Sequence, residues 1–473
     1  MPVEFSDHRS YPQSVPVVVA GGGLCGLVAA LSARDAGAQV VLLEREDHLG
    51  GSIQSGLGLI PAAATRFQKA AGINDTVSQF AADLQRKSRG TGDVRMTLAI
   101  AGAAGPALEW LADRHGLPWQ LEQGLPPPGH AWQRLHGVPE RSGVALVRRL
   151  EEAARRVGVQ IITGSRVLDL HARPDGQVMG VMTLRRDGRR EEIGCDALVL
   201  ASGGFAANRS YRKQHLPPVA DAFYAGHRGS YGDALHWGRL LGAGFRHIGS
   251  YFARAAFSVD YRQLLPRTLI DEGGLQINLR GERFGNEIDG EPDFAAQVMA
   301  QPEGLAWTIF DARIHGLAMG RGDYREVVAS GAVRQGQTPA ALAAQIGVSA
   351  QALGATLDLV RDYQSGRAVD PFGRAFVATE PLNGPFHAIR IVAALLHTQG
   401  GLAVDARGRV LREGGGALPN VFAGGHAACG VSGPHASGYL PGSGWLCALS
   451  LGRLAGLSAA HRAGRVETPP PAA

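Results

Sequence analysis

Only four cysteines occur in the 473 residues, Cys25, Cys195, Cys429 and Cys447, and no two of them form a C-x-x-C pair. That spacing excludes a zinc ribbon, a cysteine-held iron–sulfur cluster and the c-type haem attachment motif, and leaves no metal site to expect. Free thiols in a reducing compartment account for them. No apolar run is long enough to cross a bilayer. Basic runs are missing too: the formal charge of +5 is scattered along the chain, which argues against a nucleic-acid partner. The first residues, MPVEFSDHRSYPQ, lack the basic start and apolar stretch of a secretory signal, so the expected location is cytoplasmic.

What the chain has in excess is glycine, 66 residues, about twice the usual share. These glycines are clustered rather than periodic, which excludes collagen. In a chain that is 45% apolar and 19% charged they suggest backbone packed closely against a large ligand. The length allows two or three domains.

Residues 15–20 (VPVVVA) read as a buried parallel strand, LVAALSARDAG as a helix ending at Gly37, and AQVVLLE (38–44) as a second strand. A helix is expected at 144–157, turns at Pro174-Asp175-Gly176 and Asp187-Gly188, and a buried strand at 197–201. Residues 246–375 carry mixed helices and no buried-strand run. Glycine clusters return from 376, followed by a helix at 445–461 and a Pro-rich tail. This predicts an α/β chain: a nucleotide domain in two parts (12–245 and 376–465), an inserted domain (246–375) and a frayed tail (466–473).

Between the first strand and helix, Gly21-Gly22-Gly23-Leu24-Cys25-Gly26 fits G-x-G-x-x-G. Gly21 serves the tight turn, Gly23 lets backbone approach a pyrophosphate, and Gly26 lets helix and strand pack closely. Glu44 ends the second strand, where a carboxylate can accept from a ribose hydroxyl. Arg45 follows it, and Gly50-Gly51-Ser52 stands six to eight residues past Glu44.

That Gly-Gly-Ser resembles the flavoprotein variant of the motif, and the resemblance then extends in order from about residue 15 to 460. Residues 65–73 (TRFQKAAGI) look like the segment after the flavin loop in fumarate reductase flavoproteins of the flavocytochrome c type. Ala201-Ser202-Gly203-Gly204-Phe205 resembles A-T-G-G-F, and Gly232-Asp233-Ala234 resembles T-G-D-G. Arg283-Phe284-Gly285-Asn286-Glu287 matches R-F-x-N-E, His397-Thr398-Gln399-Gly400-Gly401 matches H-T-M-G-G, and residues 420–425 (NVFAGG) match G-L-Y-A-A-G. The superfamily is that of the succinate dehydrogenase/fumarate reductase flavoproteins, which includes the 3-ketosteroid dehydrogenases. The resemblance implies a Rossmann-like FAD-binding domain with an inserted α+β capping domain, and hydride transfer at a C–C bond. It implies further FAD contacts at Gly58, Leu59, Val167, Ala201, Ser202, Gly203, Asp233, Gly425, His426, Ser443, Trp445 and Leu446. No histidine aligns with the covalent attachment site near Ser52, so the FAD is expected to be non-covalent.

The departures bear on substrate. The resemblance places the fumarate reductases' proton-donating arginine near Glu291 and a second arginine near Ile270. A third, which binds a carboxylate, falls in Tyr439-Leu440-Pro441-Gly442-Ser443-Gly444, and a substrate histidine is replaced by Arg254. That glycine loop looks instead like the G-Y-P-G-x-G of 3-ketosteroid dehydrogenases with one extra leucine, which would make Tyr439 and the Gly444 amide donors to a ketone. Tyr251 and Arg254, three residues apart, suggest a tyrosine base whose pKa the arginine lowers, and His397 completes the candidate catalytic set. The leading expectation is desaturation of the α,β carbons of a cyclic ketone or ring acid, with a small-molecule substrate, an unidentified electron acceptor and no nucleic-acid or membrane partner. The alternatives are reduction of an unsaturated carboxylate and a non-catalytic flavin-binding assembly protein.

Overall fold

The computed structural model describes residues 2–464 apart from 125, 289, 377 and 378; the expected tail at 466–473 lies outside the described residues. The chain divides into two compact units, the described residues of Met1–Tyr211, Gly226–Tyr251 and His397–Ala473 in one, and those of Arg212–Ala225 and Phe252–Leu396 in the other.

The first unit is built on a nine-stranded sheet. In chain order its strands are β1 (Val3–Phe5), β2 (Gln13–Ala20), β3 (Val40–Leu43), β4 (Gln160–Ile162), β5 (Ser165–Ala172), β6 (Val178–Arg185), β7 (Arg190–Leu200), β8 (Arg409–Leu411) and β9 (Ala417–Ala423). They are ordered β1-β5-β6-β7-β2-β3-β4, with β9 beside the end of β7 and β8 beside β9. The run β7, β2, β3, β4 is parallel, and β9 joins β7 in parallel from Leu198↔Val421 to Leu200↔Ala423. A parallel sheet is covered on both faces, which is why Val17, Val18 and Val19 and the facing residues 197–200 are apolar without alternation and fully buried. Four helices matter for the site: α1 (Leu24–Asp35), α2 (Gly143–Arg156), α3 (Asp233–Leu240) and α4 (Ser443–Arg462). Ten residues of α1 are buried, from Leu24 to Ala33, so it is a core helix with almost no polar face.

A six-stranded sheet organises the second unit. Its longest strand, Phe386–Thr398, pairs antiparallel with Leu305–Asp311 and Val333–Gly336, and parallel with Phe223–Tyr224. Two expectations are corrected here. Leu305–Asp311 is a strand buried from Ala306 onward, where no buried strand was expected; Thr308 and Asp311 interrupt its apolar pattern. The units also divide elsewhere than at 245/246 and 375/376. Strand pairing keeps the chain in the second unit up to Leu396, and Phe223–Tyr224, paired with Ala394 and Leu395, brings residues 212–225 with it.

The R-F-x-N-E motif is structural within this unit. Arg283 donates to Glu287 Oε2 at 2.9 Å and to Asp370 Oδ1 at 2.8 Å, and Arg374 reaches Glu287 at 3.0 Å. Burial pushes the Glu287 carboxyl up, but Arg283 and Arg374 outweigh it and hold the pKa below its ordinary value. Among the described residues no helix is long and apolar enough to cross a membrane.

Candidate active site

At the end of β2 the chain turns through Gly21 and Gly22 into α1. A Cβ at Gly26 would lie 1.8 Å from the Gly21 carbonyl oxygen, so only glycine lets the helix pack so close to the strand. Gly23 caps α1 in extended backbone, with no side-chain cap and no acidic residue in the first turn. The first amides of α1 therefore point into a cleft without intrahelical partners, the arrangement that binds a phosphate. Glu44, just past β3 and 7% exposed, accepts from the Gly22 amide at 2.7 Å through Oε2 and from the Glu46 amide at 2.9 Å through Oε1. The backbone thus fixes the carboxylate before any ligand arrives.

The cleft is open to solvent, and the space within it, solvent at its mouth included, comes to about 800 Å³. It gathers Gly21, Gly23, Leu24, Cys25, Glu44, Arg45, Gly50, Gly51, Ser52, Val167, Ala201, Ser202, Gly203, Asp233, Gly425, His426 and Trp445. Five expected cofactor residues do not line it. Gly26 is covered by the turn it supports, Gly58 packs on the backbone of Gly143, and Leu59 covers Gly137. Ser443 and Leu446 are buried inside α4. Arg166, His227, Gly229, Ser230 and Trp237 also line the cleft and were not anticipated. The T-G-D-G-like segment marked Asp233 but not the loop ahead of it, and Arg166 adjoins Val167 on β5.

Among the described residues five buried polar atoms on this cleft have no hydrogen-bond partner: Ser165 Oγ, Ser202 Oγ, Asp233 Oδ1, Trp237 Nε1 and His426 Nε2. Buried polar atoms are seldom left unpaired. Five orphans on one cleft, beside an uncapped helix start and a buried acid, fit a long polar ligand such as a dinucleotide. Arg45 is ion-paired with Asp233 across this wall.

His426, which lines the cleft, stacks on His397, which does not, with ring centroids 4.2 Å apart and 16° between planes. Tyr439 meets the His397 ring edge-on, with ring centroids 5.8 Å apart. Burial and then the neighbouring His426 ring hold His397 well below its ordinary pKa, and burial alone brings His426 down to about 4. Both imidazoles are neutral at pH 7. The loop bearing Tyr439 is anchored twice: Leu440, the extra leucine, is fully buried, and His130 Nε2–H donates to the Pro441 carbonyl at 2.9 Å. Gly444 lies in the first turn of α4, where helix geometry leaves its amide without an intrahelical acceptor.

Arg254 does something other than expected. Residues three apart on a strand point to opposite faces, and both lie on the strand Tyr251–Ser258, so Arg254 is not placed to lower the pKa of Tyr251. Its Nε donates to Glu291 Oε1 at 2.8 Å and its Nη2 to the Leu265 carbonyl at 3.2 Å, while Arg267 Nη1 stands 3.9 Å from the same Glu291 oxygen. Tyr251 is buried.

A family model described as an FAD binding domain matches residues 16–441. The NADH:fumarate oxidoreductase of Klebsiella pneumoniae (strain 342) is 28% identical over 463 residues, covering 97% of this chain and 49% of that protein. This chain therefore spans about half the length of that relative. Among solved structures, the open conformation of a flavocytochrome c3 fumarate reductase superposes with a TM-score of 0.83 at 26% identity, covering 96% of this chain and 79% of that one. The 3-ketosteroid-Δ4-(5α)-dehydrogenase of Rhodococcus jostii RHA1 is alike in fold, with a TM-score of 0.78 at 24% identity, covering 97% and 99%.

Proposed function

The chain belongs to the FAD-binding family of the succinate dehydrogenase/fumarate reductase flavoproteins, and on that premise we propose that it is an FAD-dependent oxidoreductase of a C–C bond conjugated to a carbonyl. Bound FAD supplies the hydride acceptor or donor. The remaining work falls to the chain's own residues. The first amides of α1 take the pyrophosphate, Glu44 accepts from a ribose hydroxyl, and the orphaned polar atoms of the cleft take up the rest of the cofactor's polar edge.

A C–H next to a carbonyl becomes acidic enough to lose its proton only when the carbonyl oxygen is polarised. The observation that carries this reading is the contact of two neutral groups, His397 against Tyr439, close in sequence to the first turn of α4, where the Gly444 amide has no helical acceptor. Neutral donors suit a carbonyl oxygen. A dicarboxylate is better served by cations, at roughly 1.5–3 kcal/mol for each charged hydrogen bond, and the three arginines of the resemblance fall near Glu291, near Ile270 and within Tyr439-Leu440-Pro441-Gly442-Ser443-Gly444, which holds no arginine. We therefore place a cyclic ketone or ring acid ahead of succinate or fumarate, with desaturation as the direction.

A second reading, reduction of an unsaturated carboxylate, draws support from the similarity to fumarate reductases. Anaerobic mixing separates the two. Bleaching of the oxidised flavin by saturated cyclic ketones supports the first reading. Efficient reoxidation of the reduced protein by fumarate or another unsaturated acid, with no response to ketones, supports the second, and silence across both series contradicts an oxidoreductase.

A further inference from the structure

We infer that Gln399 is a positioning residue that holds His397 as the neutral tautomer with its proton on Nε2, so that His397 serves as a donor and not as a base. This rests on the reading of His397 as part of the carbonyl site. Gln399 Nε2 lies 2.7 Å from His397 Nδ1, and Ser432 Oγ–H donates to Gln399 Oε1 at 3.2 Å. His397, Gln399 and Ser432 are 8%, 3% and 2% exposed, so water does not compete for these atoms.

A carboxamide can present either its oxygen or its NH2 to an imidazole, and the choice sets the tautomer. Here the serine hydroxyl takes the oxygen end, which turns the NH2 toward the ring. Nδ1 must then accept, and a neutral imidazole that accepts at Nδ1 carries its hydrogen on Nε2. The stacked His426 disfavours the doubly protonated alternative, since a cation there would sit against a second buried ring. The H-T-M-G-G motif that this segment resembles has methionine at the corresponding position, whose thioether cannot orient an imidazole in this way. The device belongs to this chain's own sequence.

The test is 15N NMR of the FAD-loaded chain labelled at histidine, with the His397 signals identified by their absence from His397→Ala. The expected result is a protonated Nε2 and a bare Nδ1, unchanged between about pH 5 and 8. A proton on Nδ1, or a doubly protonated ring in that range, overturns the proposal. Gln399→Glu offers only acceptors and should move the proton to Nδ1 or produce an imidazolium that titrates. Gln399→Met keeps the length, removes both polar atoms and should leave mixed tautomers; it decides the matter where the Glu variant does not fold. A His397 spectrum that Gln399→Met leaves unchanged also overturns the assignment. No substrate is needed, so an error in the substrate class leaves this result intact, and a wrong tautomer leaves the substrate series intact.

Discussion

Gly444 and His426 are fitted to each other: a methyl group at position 444 would lie 2.9 Å from His426 Nε2 and 3.3 Å from His397 Cε1. The first turn of α4 closes over the stacked imidazoles because it carries no side chain there. Gly444→Ala must therefore push the rings aside. Misplacement of catalytic groups by about 1 Å can cost roughly 100-fold in rate, and overpacking costs about 1–3 kcal/mol of stability. Turnover should fall by one to two orders of magnitude in a chain that still folds by circular dichroism; wild-type turnover would show that the histidine pair is not part of the reaction.

Cofactor binding gives the next expectation. The purified protein should be yellow, and heat should release intact FAD into the supernatant. A Cβ at Gly23 meets only the Gly50 carbonyl, at 3.5 Å, so Gly23→Val should fold while its larger side chain blocks the cleft, and it should be recovered colourless. Full flavin content in this variant would sink the pyrophosphate assignment, and colour retained in the heat precipitate would contradict non-covalent binding.

Stability should depend on pH in a stated direction. Burial holds His130, His136 and His426 down to about 4, against 6.5 for an unfolded histidine. The unfolded chain therefore binds more protons between those values, and stability falls as pH drops from about 6.5 toward 4, being fully present above 6.5. Urea midpoints at about pH 7.5 and pH 5 check this. An unchanged midpoint contradicts burial of these rings as neutral species.

The pairing of Arg254 with Glu291 predicts coupling within the second unit. Arg254→Met and Glu291→Gln should each destabilise, and the double variant should lose less than the sum, with a coupling of about 0.5–3 kcal/mol. Additive losses would mean that the two side chains act independently.

The nucleotide half of the molecule was legible because its physics is local. A buried parallel strand, glycines at a turn and an acid at the end of the next strand are written within some thirty residues, and the structure gathers them on one cleft. The second unit was less legible. Leu305–Asp311 is buried although threonine and aspartate break its apolar pattern. The spacing of Tyr251 and Arg254 suggests a pair only until the strand period, which turns residues three apart to opposite faces, is applied. The His397–His426 stack joins residues from separate strands and turns, and no local pattern carries such a contact.

The most direct test of the carbonyl site is Tyr439→Phe, which keeps the ring beside His397 and removes only the hydroxyl. If that hydroxyl polarises the substrate oxygen, the rate of flavin bleaching by a ketone substrate should fall about 10²–10³-fold, as on loss of one oxyanion donor. FAD content and thermal midpoint should stay at wild-type values. Wild-type bleaching rates in a fully flavinated Tyr439→Phe protein would contradict the account and leave carboxylate reduction as the better reading.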